Sequence, residues 1–180
     1  MTTLETDRLL LRPPVAEDAG FLVESFADYE IARQLSSVPY PYTEADALAF
    51  LDIVTRARAM GEAWVFTIVS KATGSPVGCC GLHLKDGGYE LGYWVAKPYW
   101  GRGFATEAGR RALEFAFGVV RANAVVAGWF HDNAVSGRVL AKLGFAASHV
   151  EPVYCRARGE AALCNRTMLT RERFGRKRAA

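Results

Sequence analysis

This chain of 180 residues has few of the groups that staple small proteins or hold metals. Its four cysteines, at 79, 80, 155 and 164, show no Cys-x-x-Cys spacing and far too low a density for a disulfide scaffold. Reduced thiols are the expectation. Histidine is scarcer, with only His83, His131 and His149, and none has a partner at metal-ligand spacing, so no metal is expected. No apolar run approaches the ~20 residues that cross a bilayer. Met1–Asp7 lacks the basic and apolar stretches of a secretory leader. These absences set the expectation of a cytoplasmic protein without a membrane partner.

What is present is apolar mass: 51% of the residues are hydrophobic, enough for one sizeable core. No linker, repeat or low-complexity segment divides the chain, so residues 1–170 are expected to form one domain. The net charge of +3 is uneven. Residues 171–178 set Arg171, Arg173, Arg176, Lys177 and Arg178 against Glu172, a local +4. Residues 171–180 therefore read as a basic, solvated and frayed tail. Docking of that tail on RNA or a ribosome is the alternative. No basic stripe runs through the rest of the chain, and nothing else points to nucleic acid.

The most informative stretch is Glu90–Ala108, which reads as a strand, a Pro98 break, a glycine-flanked basic turn and the start of an amphipathic helix. Gly101 and Gly103 bracket Arg102, and neither glycine holds an anion away from the backbone with a Cβ. A helix opening near Phe104 leaves its first amides without intrahelical partners. Those amides, the helix dipole and Arg102 suit a diphosphate-sized anion. A dinucleotide fingerprint is excluded, because Thr106 stands where its third glycine would be and no βαβ unit surrounds it. A Walker loop is excluded by the missing Gly-Lys-[Ser/Thr].

Elsewhere the pattern gives an edge strand over 5–12, a helix over 17–26 and a second helix from Thr43. Strands at 64–69, 76–84 and 89–95 form a meander with short turns at Thr73–Ser75 and Lys85–Gly88. The helix over 104–120 leads to a strand at 123–129, a crossover that favours parallel pairing with the strand before it. Asp132 or Asn133 caps a helix ending at Leu143 with Gly144 behind it, and two further strands fill 145–170. The fold class is α+β, with a mostly antiparallel sheet of about seven strands and about four helices.

Trp100-Gly-Arg-Gly-Phe-Ala105, followed by Thr106-Glu-Ala108, resembles the acetyl-CoA pyrophosphate loop of the GNAT N-acetyltransferase superfamily in its RimJ/RimL-like branch. Trp100 departs from the Gln or Arg of the generic pattern. Leu4–Pro13, Asn133–Phe145 and Met168–Glu172 fit the same branch, in order and across nearly the whole chain. The resemblance implies a GNAT-like fold whose fourth and fifth strands splay apart. It implies that the amides of Gly101, Arg102, Gly103, Phe104, Ala105 and Thr106 hold the CoA pyrophosphate. It also implies that backbone at Trp94, Val95 and Ala96 pairs with pantetheine. The co-substrate would be acetyl-CoA and the acceptor a primary amine, on a protein N-terminus such as that of a ribosomal protein or on a small molecule. A longer acyl-CoA donor, or a non-catalytic module that binds CoA or docks on the ribosome, are the rival readings. Family members are monomers or homodimers.

Acetyl transfer needs a neutral amine, donors for an oxyanion and an acid for the leaving thiolate. Glu90, on the strand leading to the splay, is the candidate base, unless it only pairs with a nearby cation. His83 on the adjacent strand is second. The resemblance places the acid at Ser136, which otherwise bonds within the first turn of its helix. Asn133 is a cap, a CoA contact or both, and Arg138 either reaches a CoA phosphate or stands in solvent. Tyr40, Tyr42 and Trp64 are candidate walls of the acceptor pocket, with His83, or else ordinary loop and core aromatics. Cys79 and Cys80 lie in an apolar run, which argues against a cysteine acyl-enzyme.

Overall fold

A computed structural model describes residues 2–85 and 88–179. The middle of the expected Lys85–Gly88 turn and the side chains of Lys177 and Arg178 lie outside that part. The expected first strand is two. Thr6 closes a tight turn on Leu9, its N–H donating to the Leu9 carbonyl at 3.0 Å and its Oγ1 accepting the Leu9 N–H at 3.0 Å. That local bonding splits the run into β1 (Leu4–Glu5) and β2 (Leu9–Arg12). Helices α1 (Ala19–Phe26), α2 (Tyr29–Ala32) and α3 (Glu44–Ala59) follow. Thr43 and Asp46 form the box that starts α3. The meander is β3 (Ala63–Ser70), β4 (Pro76–Lys85) and β5 (Gly88–Val95). Then come α4 (Phe104–Gly118), β6 (Ala124–Phe130), α5 (Ala134–Leu143), β7 (Ala146–Cys155), β8 (Glu160–Thr170) and α6 (Arg171–Ala179).

All eight strands make one sheet in the order β1-β2-β3-β4-β5-β6-β8-β7, antiparallel except for β5 and β6. Strand alternation sorts the apolar side chains onto two faces. Phe66, Leu82, Leu91 and Val125 meet α4 and α5 in the larger core, where Ala108, Ala112 and Ala116 let α4 lie close to the sheet. On the other face α1 and α3 pack Leu22, Phe26, Ala47 and Leu51 over Cys79, with Val54 over Val65. Asp18, only 3% exposed, ties α1 down: Arg12 grips it at 2.7 and 2.8 Å, and the Thr67 hydroxyl donates to it at 2.7 Å. Burial alone would push this carboxyl up, yet the bonds from Arg12, Thr67 and the Val15 N–H hold it below its ordinary value.

Where the sequence suggests a frayed end, the chain forms α6 against the body. Phe174 is buried and its ring sits 4.9 Å from that of Phe117. Arg171 donates to the Phe117 and Ala122 carbonyls at 2.7 and 2.8 Å, and Arg173 donates to the Gly144 carbonyl at 2.7 Å. The Phe117 and Gly144 carbonyls lie at the C-terminal ends of α4 and α5, where carbonyls lack intrahelical donors and attract cations, and that of Ala122 lies in the connection from α4 to β6. Arg176 pairs with Glu172. The described cations of the tail are therefore engaged within the molecule.

Candidate active site

The ladder between β5 and β6 is short. Only Tyr89 pairs with Val125 and Glu90 with Val126, and beyond them the strands part. The Ala96 N–H donates to the Val77 carbonyl at 2.9 Å. Alternation along an antiparallel pair then assigns the polar groups of Trp94 and Ala96 to β4 and turns those of Tyr93 and Val95 into the gap. So of the expected pantetheine contacts, Val95 faces the gap while the backbone of Trp94 and Ala96 is occupied by β4. Trp100, the residue that departs from the generic loop pattern, donates its indole N–H to the Val95 carbonyl at 2.6 Å.

The glycine turn lies just past the open end of the gap. Gly101 and Gly103 have φ of 75° and 79°, values that favour glycine. A Cβ on Gly101 would meet nothing within 4 Å, so the space before the turn is open. Glu107 is the first residue of α4 whose N–H finds a helix carbonyl, that of Gly103 at 3.0 Å, as expected of an amide-rich helix start. Arg102 is exposed, with its guanidinium 5.4 Å from the centre of the Tyr99 ring. These residues offer a diphosphate both donors and charge.

Arg8 joins the turn from ninety-odd residues upstream, which spacing does not reveal. It donates to the Arg102 carbonyl at 3.0 Å and pairs with Glu107 at 2.5 Å. Glu107 stands four residues before Arg111 on α4, yet it takes Arg8 and the Thr6 hydroxyl, the latter at 2.6 Å. The β1–β2 turn thereby braces the start of α4.

On the far side of the gap, Asn133 caps α5 by accepting the Ser136 N–H at 3.1 Å. Its side-chain carbonyl is thus a cap. The helix lies low on β6 because residue 137 is glycine: a Cβ there would come within 2.8 Å of the Trp129 ring. That approach carries Ser136 to Tyr93 of β5, whose hydroxyl lies 2.9 Å from Ser136 Oγ, where either oxygen can donate, and 3.1 Å from the Ser136 carbonyl. Burial pushes the Tyr93 phenol well above its ordinary value, against the bond to Ser136, so it stays protonated. Arg138 stands exposed on the same helix.

The opposite face of β5 carries Glu90, Gly92 and Trp94. Trp94 stacks on Phe21 at 5.5 Å and meets Phe26 at 4.7 Å, with Tyr42 against Phe26 at 4.8 Å. Gly92 is exposed although its strand is central, and a Cβ there would meet nothing within 4 Å. An open floor therefore runs between the aromatic wall at Trp94 and a polar wall at Glu90 and His83, which pair across β4 and β5. Glu90 is held by Arg166 at 2.5 Å and Lys85 at 3.1 Å, and Arg166 also holds Glu151 at 2.5 Å. Ion pairing is the alternative given above to the role of Glu90 as a base. His83 is accessible to solvent but ringed by protein; burial lowers its pKa, and the Glu90 charge works the other way. Tyr40 is 46% exposed and packs edge-on against Tyr29.

Trp64 does not join the others. Strand alternation puts it on the α4 side, where it meets Phe115 edge-on at 5.1 Å beneath Arg58. It is a core aromatic, and the acceptor role expected for it is withdrawn. Cys79 and Cys80 are buried, and burial raises both thiols, Cys80 to about 12, far from nucleophilic use. Among the described residues no three His, Cys, Asp or Glu side chains gather where a metal could be held.

Residues 8–146 match the family described as acetyltransferase (GNAT) domain. An N-acetyltransferase called p20 from Bacillus licheniformis, itself uncharacterised, is 30% identical over 162 residues, covering 88% of this chain and 90% of that one. The fold is similar to that of RimJ from Mycobacterium smegmatis in complex with CoA-disulfide (TM-score 0.82, 20% identity, 95% of this chain and 87% of that one). It is equally similar to a ribosomal-protein-S5-alanine acetyltransferase from Vibrio fischeri (TM-score 0.82, 18% identity, 97% and 99%). At such identities these two structures speak for the fold alone. With the family match over most of its length, the split sheet and the glycine turn at its open end, this chain belongs to the GNAT family and is an acetyltransferase.

Proposed function

We propose that this protein moves an acetyl group directly from acetyl-CoA to a primary amine, and that donor and acceptor approach the gap between β5 and β6 from opposite faces of the sheet. The parting of β5 from β6 after Glu90, with the glycine turn at its open end, carries this reading. Pyrophosphate would lie on the amides of residues 101–106 beside Arg102, and pantetheine along Tyr93 and Val95. The Val95 N–H is the donor placed for the thioester oxygen as it gains charge. Ser136 supplies the hydrogen bond to the leaving sulfur, whose thiol is about as acidic as a cysteine.

The acceptor enters over Gly92. With both Glu90 oxygens engaged by cations, proton removal falls to His83, whose lowered pKa keeps it neutral at pH 7 and able to accept. An N-terminal amine on a slim extended chain, as on a ribosomal protein, fits an open floor one residue wide; small-molecule amines are the other class. Thiol release from acetyl-CoA, measured against peptides with Ser, Ala or Met at the N-terminus, polyamines and aminoglycosides, tests this. Release with one class names the acceptor group. Tight acetyl-CoA binding without release from any amine would contradict direct transfer.

A further inference from the structure

The hydroxyl of Tyr93 belongs to no role derived above. Tyr93 stands on β5 and Ser136 on α5, 43 residues apart, and their oxygens meet at the gap at 2.9 Å. Tyrosine brings one hydroxyl proton and faces two acceptors, Ser136 Oγ and the Ser136 carbonyl at 3.1 Å. If the proton goes to the carbonyl, Ser136 is free to turn its own proton back to Tyr93, and nothing is offered to a ligand. If it goes to Oγ, Ser136 must point its own proton elsewhere and is free to offer it to a ligand in the gap. A phenol that stays protonated holds this donor permanently.

We propose that Tyr93 is a positioning residue: by donating to Ser136 Oγ it aims the serine proton at the sulfur of CoA and strengthens that hydrogen bond as charge gathers on sulfur. This rests on the reading of Ser136 given above. In the transfer step the amine nitrogen bonds to the acetyl carbon and the C–S bond breaks with its electron pair on sulfur. The amine's proton goes to the base, and the departing thiolate keeps the hydrogen bond from Ser136 and takes its proton from solvent. The Tyr93 proton stays on Tyr93, bonded to Oγ, and Ser136 keeps its own. The other titratable group at this hydroxyl is Cys80 from β4, a buried thiol at about 12 that stays neutral throughout.

CoA itself serves as the probe, so no acceptor needs to be known. Thiolate absorbance of CoA bound to the whole protein is followed against pH, with CoA-free protein subtracted, for wild type, Tyr93→Phe, Ser136→Ala and the double variant. A donor aimed at sulfur makes the bound thiol more acidic than free CoA, by about one pH unit for one hydrogen bond to the charged form. Tyr93→Phe is expected to lose much of that shift and Ser136→Ala all of it. The double variant should match Ser136→Ala, because Tyr93 acts through Ser136. CoA affinity by calorimetry should stay within about twofold in each, which shows that the site is folded. A full shift retained in Tyr93→Phe overturns the role of Tyr93 and leaves Ser136 standing. A bound thiol that titrates like free CoA in wild type overturns both. No CoA binding at all removes the donor site as well.

Discussion

The two faces of β5 were built in different ways. The face toward α4 and α5 meets a turn, a helix start and a cap, each made from residues close in sequence: Gly101 to Glu107, and Asn133 to Ser136. The face toward α1 and α3 is assembled from far apart, with Phe21, Tyr42, His83, Glu90, Trp94 and Arg166 drawn from five segments. Donor chemistry is shared by a family and needs one geometry, whereas acceptor chemistry varies with the surface that surrounds the amine. The difference teaches where variation is tolerated: at Gly92 and its walls, not at the glycine turn.

Four substitutions sharpen that contrast, in descending order of effect. Asp18→Asn strikes the anchor of the acceptor-side helices. It leaves Arg12 without its anionic partner, and a loss of about 3 kcal/mol is expected in denaturant unfolding. The sign with pH is fixed by the depressed Asp18 carboxyl: its contribution is full above the unfolded value near 3.9 and disappears as pH falls through the lower folded value. Wild type should therefore lose stability below about pH 4 more steeply than Asp18→Asn. Arg102→Glu strikes the donor side alone. Losing a charge-assisted bond and adding repulsion should weaken acetyl-CoA binding about 100-fold in calorimetry, with unfolding unchanged. Unchanged affinity would remove the pyrophosphate from the turn.

Gly92→Val fills the floor of the acceptor face without touching the gap. Acceptor KM is expected to rise about tenfold while acetyl-CoA affinity holds, a cost typical of crowding a pocket by a few methyl groups. A fall in acetyl-CoA affinity of the same size would mean that the two faces are not separate. The smallest effect belongs to Arg173→Ala, which removes one bond to the Gly144 carbonyl at the end of α5. About 1 kcal/mol of unfolding free energy should be lost, and CoA affinity should not move.

Local pattern made much of this legible in the sequence. The meander, the crossover helix and the αL Gly144 behind α5 were readable because each depends on neighbours within a few residues. The turn of Thr6 back on Leu9 is not legible because an apolar run over 9–11 reads as one strand whether or not it is preceded by a turn. The helix α6 escaped because its arginines look solvated until the carbonyl ends of α4 and α5 are placed beside them. The face that Trp64 takes is set by strand parity against its neighbours, not by its residue type. Tyr93 and Arg8 left no signal, since their partners lie 43 and 99 positions away.

The separation of donor and acceptor across the gap is tested most directly by amide hydrogen exchange of single residues with and without acetyl-CoA. The Val95 and Tyr93 amides, together with those of residues 101–106, should gain protection, while Gly92 and the His83 strand opposite it should exchange as before. Exchange at Val95, Tyr93 and the glycine turn that acetyl-CoA leaves unchanged would put the donor outside the gap and contradict the account.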